Sequence, residues 1–205
     1  MNKSIVYLIC LMVLLFVGVT GCGPQDETRT FPNTRYVESY DGVSVAVPEN
    51  PKRILALSSA SDTILLGLVE PDRLVGINTL STYEEYSLEA KRAKLVKPAM
   101  SSYPLEKIIA LEPDLVIAPD YTSADVIAGL RHMGIPTVVV PTGTTVESVI
   151  KNVTDIAHIV GEDEKGQFYE QKIRRELEQM KRLGTSIPLN QRKSVLFVSS
   201  MDGYT

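Results

Sequence analysis

Tryptophan is absent from the 205 residues, and there are only two cysteines and two histidines. Both cysteines, Cys10 and Cys22, come before the chain turns polar, so no thiol occurs beyond residue 22. That stretch therefore has no disulfide, no cysteine nucleophile and no thiolate metal site, and it must rely on its core. His132 and His158 are too few for a usual zinc site, and both fall in helical patterns where a surface or partly buried histidine is the plain reading. A basic excess is also missing. Lys and Arg number 21 against 25 Asp and Glu, a formal charge of −4 with the signs interspersed. No basic footprint marks a nucleic-acid partner.

Long apolar runs are scarce as well. The one at residues 5–19 covers about fifteen residues, short of the roughly 20 that cross a bilayer core. Lys3 precedes it and small Gly21 closes it, the parts of a secretory signal. Val19-Thr20-Gly21-Cys22 resembles the bacterial lipobox, in which the cysteine thiol takes a diacylglycerol and becomes the new N-terminus. The alternative is an uncleaved anchor with an incidental cysteine. The expectation is a signal peptide over residues 1–21, lipid on Cys22 and a flexible, polar tether over residues 22–35. The protein would then work outside the cytoplasm, held at the membrane in a periplasm or on an outer cell face.

Beyond residue 35 the chain is punctuated regularly. Asp41-Gly42 between alternating apolar residues predicts a tight hairpin, with Val43, Val45 and Val47 on one face. Short apolar strands are predicted over residues 53–57, 73–77, 114–118 and 137–140. Helices are predicted over residues 63–69, 105–111, 124–133 and 146–160, the last two stopped by Gly134 and Gly161. Ser61 or Asp62 is the expected cap of the first helix. Alternation of this kind defines an α/β fold, a Rossmann-like lobe with a parallel sheet over residues 36–161.

Ligands of such sheets gather at the carboxyl ends of the strands. Those ends carry Ser58 to Ser61, Asn78 to Tyr83, Pro119 to Thr122 and Pro141 to Thr145. The loops are rich in hydroxyls, hold no lysine or arginine, and pair no nucleophile with a base. Binding is favoured over chemistry, and no cofactor or metal is expected. An enzymatic alternative rests on Pro141-Thr142-Gly143-Thr144-Thr145, which opens a helix as a phosphate cradle does but lacks the P-loop lysine and full glycine pattern.

Residues 162–185 differ from the rest. They are charged, carry Tyr169, Ile173, Leu177 and Met180 at helical spacing, and place Glu170 with Arg174 and Glu178 with Arg182 four apart. This is either an amphipathic helix on its own domain or a spine joining two lobes. A strand is predicted at residues 194–199, so residues 186–205 read as the start of a truncated second α/β lobe.

"PKRILALSSASDTILLGLVEPDRLVGI" and "YPLEKIIALEPDLVIAPD" resemble the N-terminal lobe of the iron-complex and cobalamin substrate-binding proteins, the receptors of ABC importers. "GIPTVVVP" and the long charged helix fit as well. The resemblance implies a monomeric receptor that captures an iron chelate, siderophore or haem, and delivers it to an ABC permease. Cobalamin is the alternative ligand, and a non-transport sensor a further one. It also implies that Glu106 docks on the permease. Ligand contacts are expected from Ser58, Ser59, Leu80, Tyr83, Met100, Ser101, Tyr121 and Thr142, with Tyr103 a further aromatic. Many members carry Ser-Pro-x-x-Thr-Glu after the first strand; here the residues are Ser58-Ser59-Ala60-Ser61-Asp62-Thr63. Met100 and Leu80 stand where cobalamin binders place aromatics, which weakens a stacked corrin.

Overall fold

The computed structural model describes residues 33–196. The predicted signal, Cys22, most of the tether and residues 197–205 lie outside them; residues 194–196 form no strand. Strands β1 (Thr34–Glu38) and β2 (Ser44–Pro48) form the predicted antiparallel hairpin. Its turn uses Gly42 at φ 79°, a left-handed conformation that glycine takes without a Cβ clash. Val45 and Val47 enter the core, whereas Val43, still in the turn, is exposed.

The central sheet is built from β3 (Ile54–Ala56), β6 (Leu115–Pro119) and β7 (Thr137–Val140), all parallel in the order β3-β6-β7. Every residue of the three is buried. Their sequences are therefore apolar runs without alternation, as strands covered on both faces require. A second parallel pair, β4 (Ile77–Asn78) and β5 (Ala99–Met100), continues the layer. An isolated parallel bridge from Ile54 to Leu74 joins it to β3, and Val75 N–H donates to Ile54 O. The full order is thus β5-β4-β3-β6-β7, and the chain reverses direction across the sheet between β3 and β6.

Of the predicted strand at residues 73–77, Arg73 belongs to the 3-10 turn Pro71–Arg73, Leu74 makes only the bridge to Ile54, and β4 runs Ile77–Asn78. Arg73 is held there by its guanidinium, which donates to Pro51 O and Val160 O and pairs with Glu162 at 2.7 Å. Helix α1 (Ser59–Leu68) starts four residues earlier than the sequence suggests. Its cap is Ser58, extended at φ −148° and accepting from Ser61 N–H, so neither Ser61 nor Asp62 serves. The other helices are α2 (Ala90–Ala93), α3 (Leu105–Ala110), α4 (Ala124–His132), α5 (Val146–Val160) and α6 (Asp163–Ser186). Thr145 and Ser148 form a capping box on α5.

"LEPD" acquires a structural meaning. Glu112 takes a left-handed φ of 46°, turning the chain into β6. Asp114 then accepts the backbone N–H groups of Lys52 (2.7 Å) and Arg53 (2.9 Å). The Arg53 guanidinium returns to the carbonyls of Leu111 and Glu112. The starts of β3 and β6 are locked side by side. At the opposite sheet edge, the hairpin covers β7: Tyr40 N–H donates to Val139 O, and Val139 N–H to Ser39 Oγ. Arg131 closes this edge, bonding Thr137 O and both carboxylate oxygens of Asp41. That hydrogen-bonded pairing with Arg131 holds the Asp41 carboxyl at about 2.

Helix α6 packs only its first turns. Gly166 is its one buried residue, and a Cβ there would sit 2.5 Å from Ala157 Cβ on α5. Lys165 Nζ and Tyr169 Oη cap the last carbonyls of α1, at Leu68 and Gly67. The predicted Glu170–Arg174 and Glu178–Arg182 pairs are present at 3.0 and 3.7 Å. Tyr169, Ile173 and Leu177 are half-buried, but from Glu178 to Ser186 every residue is exposed. Gly166→Ala should cost about 1–3 kcal/mol in urea unfolding, because α5 and α6 must separate. Gly184→Ala, with open space around the new methyl, should instead stabilise by about 0.5–1 kcal/mol.

Candidate functional site

Because β3 to β7 are parallel, the loops after them share one end of the sheet. A depression of about 400 Å³ opens there, at the point where the strand order reverses. One wall is the first turn of α1 (Ser58, Ser59, Ala60, Ser61, Thr63 and Ile64). The other is the loops after β6 and β7, with Tyr121, Thr142 and Gly143. The floor includes Val149, Asn152 and Ile156, spaced by helical turns on α5. No charged side chain is among the lining residues. Such a surface suits a ligand of low net charge, held by hydroxyls, backbone groups and apolar contact.

Several interactions keep this mouth in shape. Asp120 accepts both the N–H (3.1 Å) and the hydroxyl (2.6 Å) of Thr142, tying the β6 and β7 loops together. These donors lower the Asp120 pKa. Asn152 donates its amide to Pro141 O at 2.7 Å, fixing the β7 loop on α5. Ser58 Oγ donates to Ser61 Oγ at 3.0 Å within the α1 cap.

Of the expected ligand contacts, the structure gathers Ser58, Ser59, Tyr121 and Thr142 around this one depression. Tyr121 is 72% exposed, a ring free to cover a ligand. Leu80 and Tyr83 are exposed on the 3-10 turn Thr79–Thr82 and just after it, at the same sheet end but outside the lining residues. Ser101 is exposed on the loop after β5. Met100 is outside the lining residues; it is buried in the apolar cluster with Leu55, Ile108 and Val116, its methyl 3.3 Å from where a Gly76 Cβ would stand. Glu106 is exposed in the first turn of α3, also at the cleft end of the lobe.

Asp62, Asp120 and Asn152 do not stand out as site residues in the sequence. Asp62 had a readable signal: with Leu65, Leu66 and Val69 it completes an i, i+3, i+4, i+7 face. An acid on that face is buried, and Asp62 has no exposed surface. Its Oδ2 accepts Asn78 N–H (2.7 Å) and Ser81 Oγ–H (2.9 Å), anchoring the turn that carries Leu80. Burial outweighs these two bonds and raises its pKa from 3.8 to about 7. Tyr103 is pushed upward too, first by burial and then by the Asp62 charge.

A parallel α/β lobe with an uncharged cleft at its switch point defines a ligand-binding module. The comparisons with known proteins agree. A periplasmic binding protein family model matches residues 54–205, and the chain belongs to that family. It is 28% identical over 203 residues to the uncharacterized ABC transporter substrate-binding lipoprotein YvrC of Bacillus subtilis, covering 93% of this chain and 62% of that one. The vitamin B12-binding protein of Vibrio campbellii is 31% identical over 134 residues, 63% of this chain and 46% of that one. Among solved structures, the heme binding protein HmuT superposes with a TM-score of 0.57 at 25% identity, over 80% of this chain and 52% of that one. The chain thus spans less than two thirds of the length of each. Among the described residues, no helix is long and apolar enough to cross a membrane.

The Asp62 balance sets a pH dependence of stability. Its folded pKa lies above its unfolded value, so its stabilising contribution is complete below pH 3.8 and lost as pH rises to about 7. The loss is on the order of 4 kcal/mol from a shift of about three units. Subtracting the urea-unfolding profile of Asp62→Asn from that of the parent should leave a decline between pH 4 and 7 and a plateau above. A flat difference would contradict the buried-acid assignment.

Proposed function

We propose that the protein is the receptor lipoprotein of an ABC importer, which captures an iron chelate, siderophore or haem, and hands it to the membrane permease. The observation that carries this reading is the neutral, hydroxyl-lined cleft at the switch point of a lobe belonging to the periplasmic binding protein family. The shared fold with a heme binding protein supports an iron chelate. Cobalamin is the second reading, favoured by the 31% identity to a vitamin B12-binding protein. Against it, Met100 and Leu80 stand where cobalamin binders place aromatics, which leaves those two positions without a stacking surface for a corrin.

The remaining parts take roles consistent with that reading. Cys22 carries lipid and holds the receptor at the membrane, outside the cytoplasm. Residues 22–35 are the tether and residues 162–185 a spine, whose exposed end leads from residues 36–161 towards a second lobe begun by residues 186–205. Glu106 is the docking carboxylate, exposed where an arginine of a permease can meet it across a wet interface. The proposed role is binding and release without chemistry, in keeping with a Thr142 hydroxyl held by Asp120 as a loop clamp.

Tyr121, exposed beside the depression, makes intrinsic fluorescence a reporter of binding. Titration of the full gene product with haemin, a ferric trihydroxamate and cyanocobalamin should show saturable quenching, tightest for one of the two iron chelates. Tightest binding of cyanocobalamin would establish the second reading, and saturation by none would end both. Glu106→Ala should lower uptake about tenfold while leaving ligand affinity unchanged; unaltered uptake would assign the lobe to sensing instead.

A further inference from the structure

Under the rim turn lies a polar cluster that the cleft surface does not use. Asp62 spends Oδ2 on Asn78 and Ser81, yet its Oδ1 is buried with no hydrogen-bond partner. Tyr103 Oη, on the loop after β5, is buried as well, beside the Asn78 side chain. The two groups are close enough for the Asp62 charge to act on the phenol. Buried polar atoms are rarely left without a partner. Here the Asp62 Oδ1 is so left, close to a buried phenol and behind the turn that presents Leu80 and Tyr83.

We infer that Asp62 is a proton-linked positioning residue for the cleft rim, holding the Thr79–Thr82 turn shut when neutral and loosening it when ionised. The proton belongs on Oδ1, because Oδ2 already accepts two donors. In the neutral acid, Oδ1 carries a proton in place of a charge, near the buried Tyr103 phenol. In the anion, Oδ1 holds charge without a protein donor, and opening the turn exposes it to solvent. Among the described residues, no cation enters the Asp62 balance. From β4 and the turn the facing groups are Asn78 and Ser81, and from the loop after β5 it is Tyr103, with Tyr121 acting on Tyr103 in turn. Helix α1, β3 and α5 bring no charged group into the Asp62 balance among the described residues.

Linkage gives the size. Opening that restores an ordinary carboxyl shifts the open–closed equilibrium by up to about tenfold per pH unit between 3.8 and about 7. Its consequence for ligand release rests on the proposed receptor function. The test itself needs no ligand, so its result stands apart from the titrations.

Amide hydrogen exchange, corrected for intrinsic rates, is measured on the ligand-free protein at pH 5.5 and 8. Protection at Asn78 and Tyr83 should fall by about 30-fold in the parent, from about 1.5 pH units of linkage. Asp62→Asn, which cannot ionise, should show no such fall. Equal protection of the parent at both pH values overturns the proposal, as does the same fall in Asp62→Asn. Should that variant fail to fold, carbon NMR of the parent decides. An Asp62 carboxyl midpoint near 7 supports the proposal, and one below 5 overturns it.

Discussion

The lobe depends on one carboxylate at the bottom of the sheet. Asp114 accepts two consecutive backbone donors from the start of β3 while itself standing at the start of β6. Parallel strands have no hairpin to set their register, so a slip of one residue would exchange the faces of each strand. With Ile54 opposite Leu115 and Ala56 opposite Ile117, the β3 and β6 loops emerge level with each other. The cleft is formed where they part. A surface acid far from the ligand end thus decides whether Ser58 and Tyr121 face the same space.

The depression itself has no charged side chain among its lining residues. Two acids beside it are occupied structurally, Asp120 on Thr142 and Asp62 on the rim turn. Asp62 is the costlier of the two, since its burial works against ionisation. An asparagine would fill the same space without titrating. The carboxyl is therefore more informative than its hydrogen bonds alone, and its unpartnered oxygen marks the rim as the part of the cleft with two energetic states.

Helix α6 joins two regimes along one element. Its first turns are fixed by the close Gly166–Ala157 approach and by the capping of α1, and the rest extends past the surface that could cover it. Its i,i+4 ion pairs sustain helix where packing ends.

Much of this was legible in the chain. The unbroken apolar runs read as buried parallel strands, the Asp41-Gly42 turn and Gly161 stop fell where their conformations demand, and the stretches around Ser58 and the Leu-Glu motif carried the family resemblance. These are local signals, written in neighbouring residues. Helix α1 began early because Ser58 had its Oγ free to cap, and Met100 is buried beside Gly76, outside the residues that line the depression. The Asp62 carboxyl was misread as a cap because an acid in a first helical turn ordinarily faces solvent. What the sequence by itself determined is the α/β alternation, the hydroxyl-rich loops and their lack of charge. Only the tertiary structure decided which loops share the cleft, and that Asp62 is buried under its rim, because both depend on strand order and on contacts between residues distant in the chain.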